Sequence, residues 1–180
     1  MEDSFLISQT LAGQQDSFRL LVLRHQRCVF RFLGVLGFGG QAAEDLAQEA
    51  FLRAYRHLSD FDPSRAKFST WLFTMVRNLA ANEATRAHRQ RECQALEAAP
   101  VLADPAPDPL ERAVANQAQR RLREALAQLP EVLRVALLLT RVEGLSLEEA
   151  AAVESCAVGT VKSRIFRARE LLRAVLAEES

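Results

Sequence analysis

Residues 146–169 read SLEEAAAVESCAVGTVKSRIFRAR, and this stretch decides the fold class. Ser146, with Glu149 three positions later, is the capping-box pattern that begins a helix, and this helix is predicted to be short. A brief turn follows over residues 154–157, and a longer basic helix is predicted from Val158 to about Ala177. A short helix, a tight turn and a basic helix together predict a helix-turn-helix, whose second helix enters the major groove of DNA.

The basic helix has two chemically different faces. Its apolar side consists of Val161, Ile165, Ala168 and Leu172, and its opposite side of Gly159, Thr160, Lys162, Ser163, Phe166 and Arg167. Lys162 and Arg167 are long enough to reach phosphates or guanine edges, Ser163 donates or accepts, and an exposed phenylalanine suits a thymine methyl group. The alternative interpretation is a charged surface helix without a role in binding.

Helical periodicity extends over the rest of the chain, and no alternating strand pattern occurs. The predicted helices cover about residues 3–11, 16–36, 41–57, 69–91, 110–128, 130–143, 147–153 and 158–177. Residues 94–109 are acidic and Ala-rich and hold four of the six prolines, which predicts a flexible, extended linker. The expected fold is all-α, with two small helical domains at residues 1–93 and 110–180.

The third predicted helix shows a mixed outer face. Leu46, Ala50 and Ala54 recur at helical spacing and are expected to face the core. The outward positions are Asp45, Gln48, Glu49, Leu52 and Arg56. An outward leucine among acids and an amide suits a protein-docking face, whereas a solvated face with one stray leucine is the alternative.

The fourth predicted helix pairs an apolar side with an unusual polar stripe. The apolar side is formed by Leu72, Met75, Val76 and Leu79; the stripe by Thr70, Thr74, Arg77, Asn78, Ala81, Thr85 and His88, with Trp71 and Arg89 at its edge. Cations, hydroxyls, an amide and an aromatic ring together suit single-stranded nucleic acid. The loop from Leu58 to Lys67 is expected to supply a pocket for a flipped base. For Trp71, core packing is the alternative.

The net charge of the 180-residue chain is zero, with 23 basic and 23 acidic side chains, which rules out nucleic-acid binding through bulk positive charge. The neutrality arises from alternating blocks. Residues 62–92 carry six basic and three acidic side chains, and residues 156–173 carry five and one. Residues 124–154 carry only two basic side chains against six acidic ones. Local patches of both signs are therefore expected.

The sequence shows no membrane span, no secretory signal and no paired cysteines, and these absences bear on its expected location. The longest apolar runs are far shorter than the roughly 20 residues that span a bilayer, and acids stand at the start where a secretory signal carries Lys or Arg. Cys28, Cys93 and Cys156 are widely separated, which argues against disulfides and a zinc knuckle and favours inert thiols. The expected location is the cytoplasm.

Three segments carry a family resemblance. DLAQEAFLRA at residues 45–54, KFSTWL at residues 67–72 with Arg77 and Asn78 following, and GTVKSRIFRAR at residues 159–169 resemble the extracytoplasmic-function (group 4) sigma factors of the sigma-70 superfamily. The three motifs stand in the family's order and separation, and the resemblance covers nearly all of the chain outside residues 94–109. It implies a subunit of RNA polymerase holoenzyme that directs promoter-specific initiation, with sigma region 2 before the linker and region 4 after it.

The resemblance also implies residue roles and partners. Asp45, Gln48, Glu49 and Leu52 would dock on the clamp helices of the polymerase β′ subunit, and the helices from Leu110 to Glu143 on the flap of the β subunit. The −10 promoter element would be read and opened by Lys67, Trp71, Arg77, Asn78, Arg86 and Arg89, and the −35 element read by Thr160, Lys162, Ser163, Arg164, Phe166 and Arg167. The linker would follow the RNA-exit path. An anti-sigma factor, often membrane-bound in this family, is the further implied partner.

Two departures from the family pattern stand out. The helix-turn-helix turn commonly reads Leu-Gly in this family, but Glu154 and Ser155 occupy it here, and Ala157 stands where Ser or Pro is frequent. The helix expected to read the −10 element carries Asn82 and Glu83 where an Asp is frequent. These positions leave the local turn geometry and the base preference open.

Other classes of function fit the sequence less well. The three histidines lie on separate elements without metal-ligand spacing, and no hydrolase, Walker or zinc motif occurs, so no catalytic residue, metal, cofactor or small-molecule substrate is expected. A helix-turn-helix regulator acting without polymerase would explain the C-terminal segment but not the N-terminal one. A pure interaction scaffold would not need the residues from Thr160 to Arg169.

Overall fold

The computed structural model describes residues 2–93, 122 and 124–178. Every regular element within these ranges is helical, which confirms the all-α prediction. The predicted linker at residues 94–109 and most of the helix predicted over 110–128 lie outside the described residues. Residues 124–128 of that helix are helical.

The first domain contains four α-helices: α1 (Asp3–Leu11), α2 (Gln15–Val35), α3 (Gly40–Arg56) and α4 (Phe68–Cys93). A 3₁₀ turn (Leu58–Asp60) lies in the loop between α3 and α4. The bounds of α1 match the predicted ones, and those of α2, α3 and α4 differ from them by one or two residues at each end. Helix α2 ends before Gly37, whose φ of +86° is a backbone conformation that glycine adopts without strain.

The core of this domain forms where α2, α3 and α4 meet. Leu21, Phe32 and Leu33 of α2 are buried with Ala50 and Ala54 of α3, so the core positions predicted for α3 are confirmed. The rings of Phe32 and Phe73 meet edge to face at 5.2 Å between centroids. Helix α4 is anchored by this packing, which determines which of its side chains remain available at the surface.

The second domain contains α5 (Glu131–Leu137), α6 (Leu147–Val153) and α7 (Val158–Glu178). Leu138–Val142 continue α5 as a π-helical turn that carries Glu143 to the domain boundary. The capping box predicted for α6 is present: Ser146 Oγ accepts from the Glu149 amide at 3.1 Å, and the Glu149 carboxylate accepts from the Ser146 amide at 2.7 Å.

The turn between α6 and α7 is a Schellman motif centred on a non-glycine residue. The Cys156 amide donates to the Ala151 carbonyl at 3.0 Å and the Ser155 amide donates to the Ala152 carbonyl at 3.3 Å. Ser155 has a φ of +50°, a left-handed conformation that costs about 1–2 kcal/mol for an L-residue. The residue that departs from the family's Leu-Gly turn therefore occupies the position where glycine is favoured.

The two domains pack against each other. Helix α4 contacts α6, and α2 contacts α5. One continuous buried cluster runs from Leu72 and Val76 in the first domain to Val135, Leu139 and Val153 in the second. In the described residues, therefore, the two small domains share an apolar interface.

Candidate nucleic-acid interface

Helix α7 presents the predicted polar face to solvent. Its predicted apolar side is buried at Val161, Ile165 and Ala168, and partly buried at Leu172. Lys162, Ser163 and Arg167 are exposed, Thr160 is half-buried, and Phe166 is 67% exposed. Burying such a ring on binding would remove a large apolar surface from water.

Arg164 departs from its neighbours on α7. Its side chain is 22% exposed and its Nη1 lies 3.3 Å from Oε2 of Glu154 and 3.8 Å from Sγ of Cys156. The guanidinium is thus engaged by the turn before α7, whereas Lys162 and Arg167 are exposed.

The polar stripe predicted on α4 is only partly at the surface. Thr70 was expected on the outer stripe, but it is buried. Helix α4 packs against α6 as well as against α2 and α3 of its own domain, so less of its surface is free than one isolated domain would leave. Thr74 is half-buried and donates to the Thr70 carbonyl at 2.9 Å. Asn78 and Arg86 are exposed, and Arg86 pairs with Glu83 at 3.7 Å. Arg89 lies outside the residues whose side chains the structure describes.

An aromatic cluster precedes and begins α4. The ring centroids of Phe61 and Trp71 lie 5.2 Å apart, and those of Phe68 and Trp71 lie 5.9 Å apart. Trp71 is half-buried, so its ring contributes to packing and also lines a surface pocket. The other lining residues are Asp60, Phe61, Asp62, Arg65 and Ala66. A pocket was predicted in this loop from the sequence, but none of these five residues was singled out. Phe61, an aromatic residue within an otherwise polar loop, could have indicated the position of the pocket.

Hydrogen bonds within the pocket loop hold Asp62 in its ionised form. Asp62 Oδ1 accepts from the Ser64 hydroxyl at 2.7 Å and from the Ser64 amide at 2.9 Å. These two hydrogen bonds lower the pKa of the Asp62 carboxyl. The pocket is therefore rimmed by a fixed acceptor on one side and an aromatic ring on the other.

The outer face of α3 is exposed as predicted. Asp45 and Gln48 are exposed, Leu52 is 41% exposed, and Glu49 pairs with Arg53 at 2.6 Å. Tyr55, which sequence reasoning did not include, continues this face one turn beyond Leu52 and is 41% exposed. The combined surface offers carboxylates, an amide and two large apolar groups, a composition suited to a protein partner.

Four ion pairs join the first domain to the second among the described residues. They connect Arg31 with Glu143 at 2.9 Å, Lys67 with Glu149 at 3.2 Å, and Arg77 with Glu131 at 3.2 Å and Glu154 at 3.0 Å. In each pair the first domain supplies the cation and the second supplies the carboxylate. The acidic block at 124–154 thus neutralises cations of the first domain.

Two features were sought among the described residues: a cluster of metal-ligating side chains and a helix of membrane-spanning length. No group of three or more His, Cys, Asp or Glu side chains there is arranged to hold a metal ion. None of the described helices is long and apolar enough to cross a membrane.

An exposed helix-turn-helix face, an aromatic pocket at the start of α4 and an all-helical two-domain fold define a DNA-binding transcription protein. The family models that match are sigma-70 region 2 over residues 21–90 and sigma-70 region 4 over residues 119–172. Among curated relatives, the RNA polymerase sigma-H factor of Pseudomonas aeruginosa is 36% identical, covering 95% of this chain and 92% of that protein. The extracytoplasmic-function sigma-E factor of Escherichia coli is 35% identical, covering 96% and 93%.

Two solved structures extend the likeness to three dimensions. CnrH in complex with the cytosolic domain of CnrY has a TM-score of 0.68 at 29% identity, covering 99% of both chains. RpoE in complex with the anti-sigma factor NepR from Bartonella quintana has a TM-score of 0.74 at 28% identity, covering 89% of this chain and 96% of that one. The chain belongs to the sigma-70 family, as an extracytoplasmic-function RNA polymerase sigma factor. Because the relatives match the N-terminal half as well, a regulator acting without polymerase is disfavoured.

Proposed function

We propose that the outer face of α3 is the surface through which the chain docks on core RNA polymerase. Asp45, Gln48 and Leu52 form one exposed strip that includes the half-buried Glu49, and Tyr55 extends it. The clamp helices of the β′ subunit are the proposed partner. The combination of exposed leucine and tyrosine with fixed carboxylates is what a specific, partly apolar contact requires.

The −10 promoter element is assigned to α4 and the loop before it. The pocket beside Trp71 would take a base flipped out of the non-template strand, with Phe61 and Trp71 offering aromatic surface for stacking. Lys67, Arg77, Asn78, Arg86 and Arg89 would follow the phosphates and base edges. Separation of the strands is thereby favoured by capture of unpaired bases, without a covalent step in this chain.

The −35 element is assigned to α7. Lys162, Ser163, Phe166 and Arg167 share one exposed face and reach into a major groove, with Thr160 at its edge. Arg164 would join them only after leaving Glu154. The exposed face of α7, with its 67% exposed phenylalanine, is the observation that carries this assignment.

The remaining assignments follow from the same function. Region 2 would comprise residues 1–93 and region 4 residues 110–180, with residues 94–109 passing the RNA-exit path and residues 110–143 contacting the β flap. The chain would act in the cytoplasm, where core polymerase and promoter DNA are present, and would have no catalytic residues of its own. Because RpoE of Bartonella quintana was solved with an anti-sigma factor, an anti-sigma partner is proposed here too.

Reconstituted transcription tests this function. The purified chain is added to core polymerase, and run-off products are mapped over a library of genomic fragments. Discrete start sites that require both components are expected. Products absent with both components, or unchanged when the chain is omitted, would refute the proposal. A variant with Leu52→Glu, expected to lose the products, separates docking from contaminating sigma activity.

A further inference from the structure

An ion pair spans the helix-turn-helix, from the end of α6 to the second turn of α7. Glu154 is the C-cap residue of α6, and its Oε2 lies 3.3 Å from Nη1 of Arg164, ten residues further along the chain. The same Nη1 lies 3.8 Å from Sγ of Cys156 in the turn. We infer that Arg164 is a positioning residue for recognition of the −35 element: it fixes the angle between α6 and α7 through Glu154 and makes no contact with DNA. This inference rests on the proposed −35 role of α7.

The direction of Arg164 on α7 differs from that of the residues at the centre of the face assigned to the groove. Successive residues of an α-helix are rotated by about 100°, so Arg164 lies about 160° around the helix axis from both Lys162 and Phe166. Its side chain is 22% exposed, whereas Phe166 is 67% exposed. Thr160, one turn before Arg164, is half-buried as well. When Phe166 faces the floor of a groove, the guanidinium of Arg164 consequently faces the turn and α6.

The burial of Glu154 favours retention of this ion pair when α7 binds DNA. The Glu154 side chain is 3% exposed, so its carboxylate has lost most of its hydration and depends on neighbouring cations. Among the described residues it has two such cations, Arg77 of the first domain and Arg164 of its own domain. Moving Arg164 to a DNA phosphate would exchange a buried partner for a hydrated one and remove the cation that the second domain supplies. Arg164 is therefore expected to stay with Glu154 in the promoter complex.

The turn that the ion pair spans is strained, which gives the pair a structural purpose. Ser155 follows Glu154 and has a φ of +50°, a left-handed conformation that disfavours serine. The family commonly has Leu-Gly at these two positions, and a leucine could not pair with Arg164. Without the ion pair this turn would be free to relax. A small change in the angle of α7 would then move all of its exposed side chains together relative to the base edges.

Sequence discrimination separates positioning from direct contact. Holoenzyme formed with the full-length chain is titrated on a labelled promoter fragment from the run-off experiment, and on the same fragment with its −35 element replaced. Arg164→Met should lower affinity for the matched fragment about tenfold, the scale of one base contact, and leave affinity for the replaced fragment unchanged. The slope of log Kd against log salt concentration should also be unchanged, because each phosphate contact contributes about 0.9 to that slope.

Two further variants test whether Arg164 acts through Glu154. Glu154→Gln keeps the side-chain volume and should cause a similar loss of discrimination, so it serves if Arg164→Met fails to fold. The pair Glu154→Gln with Arg164→Met should lose no more discrimination than either change alone. Arg164→Lys should retain most of the discrimination, because an ammonium group can still pair with Glu154, whereas lysine would not restore a bidentate contact of arginine with a base.

Two control variants distinguish the ion pair from charge and from stability. Arg173→Met removes the same charge from α7 at a residue that pairs with Glu170. Leu172→Ala removes apolar packing against the cluster of Leu129 and Leu133, so it should lower Tm. Both variants should discriminate between the two fragments as the wild type does.

Three results would overturn the inference. They are a salt slope lowered by about 0.9 in Arg164→Met, wild-type discrimination by that variant, and a loss in the double variant equal to the two single losses combined. Arg167→Ala in the same titration separates these failures from failure of the proposed function. If Arg167→Ala keeps full affinity for the matched fragment, the −35 role of α7 has failed; if it loses affinity, any of the three results counts against the positioning role alone.

Discussion

The guanidinium Nε of Arg31 lies 2.9 Å from Oε1 of Glu143, but the two side chains are very unequally exposed, at 45% and 5%. Because of this difference in exposure, substitutions of Arg31 and of Glu143 should lower the free energy of unfolding by different amounts. Removing Arg31 leaves a carboxylate buried without its cation, whereas removing the carboxylate leaves an arginine that water can solvate.

Arg31→Ala should therefore lower the free energy of unfolding by about 2 kcal/mol, whereas Glu143→Gln should lower it by less than about 1 kcal/mol. Urea denaturation followed by circular dichroism measures both values. Arg53→Ala, which breaks an exposed pair within α3 at 2.6 Å, is the matched control and should cost least. Equal losses for Arg31→Ala and Glu143→Gln would contradict the argument from burial.

The left-handed serine in the turn before α7 makes a stabilising substitution available. Ser155→Gly should raise the free energy of unfolding by about 0.5–1 kcal/mol, because glycine adopts a φ of +50° without the steric cost and loses part of this gain through its greater freedom in the unfolded chain. For a chain of this size that corresponds to a rise in Tm of about 1–4 °C. Ser155→Val should lower Tm. A lower Tm for the glycine variant would show that the turn relaxes in solution.

The thiol of Cys28 is expected to react more slowly at neutral pH than an ordinary cysteine, because its pKa is raised. Burial raises the pKa of Cys28, and the neighbouring Glu143 carboxylate raises it further, while Arg31 acts in the opposite direction. The thiolate fraction at a given pH is thus below that of an ordinary cysteine and grows only as the pH approaches the raised pKa.

Alkylation by iodoacetamide, followed at the Cys28 peptide by mass spectrometry, should be slower in the folded chain than in urea-unfolded chain. Glu143→Gln removes a negative charge that disfavours the thiolate, so it should accelerate the reaction at fixed pH. A rate identical in folded and unfolded chain would show that neither burial nor Glu143 controls this thiol.

Arg167 and Arg173 lie on α7 and lose the same charge on replacement by alanine, but only Arg167 belongs to the face assigned to the groove. Arg167→Ala should weaken binding of holoenzyme to its −35 element by about 1–3 kcal/mol, the scale of one good base contact. Arg173→Ala, whose guanidinium pairs with Glu170 at 2.8 Å, should change affinity far less. The two affinities are compared by fluorescence anisotropy on a promoter fragment identified in the run-off experiment. Similar losses for both variants would show that Arg167 makes only a general phosphate contact, as Arg173 would.

Docking on polymerase is expected to depend on the charge of the α3 face. Glu49→Lys should reduce retention of the chain on immobilised core polymerase with little change in thermal stability, because it reverses a charge on the proposed docking face while breaking only a solvent-accessible pair with Arg53. Glu170→Lys makes the same charge change away from that face and should bind as the wild type does. Retention of Glu49→Lys equal to wild type would remove α3 from the docking surface.

Local rules predicted much of this structure. The cap of α6 involves residues three positions apart, and the buried sides of α3 and α7 follow a single helical period, so both could be derived from sequence. The sequence did not predict that Thr70 is buried or that Arg164 pairs with Glu154, because both depend on packing between separate elements. That packing includes contacts such as Arg77 with Glu154, which join distant parts of the chain and leave no periodic trace. The pocket residues at Phe61 and Asp62 depend on loop geometry, which periodicity does not describe.

In all four ion pairs between the domains the first domain supplies the cation and the second the carboxylate, and this arrangement affects how the affinity for DNA depends on salt concentration. If a DNA strand bound Lys67 and Arg77 as proposed and displaced their glutamates, the phosphates would release condensed counterions while the freed carboxylates would attract cations from solution. The release of cations from the phosphates and the uptake of cations by the carboxylates partly cancel. Affinity for single-stranded DNA should consequently vary with salt concentration less steeply than the number of phosphate contacts implies, so the proposed DNA contact would be less sensitive to ionic strength than one made by unpaired cations.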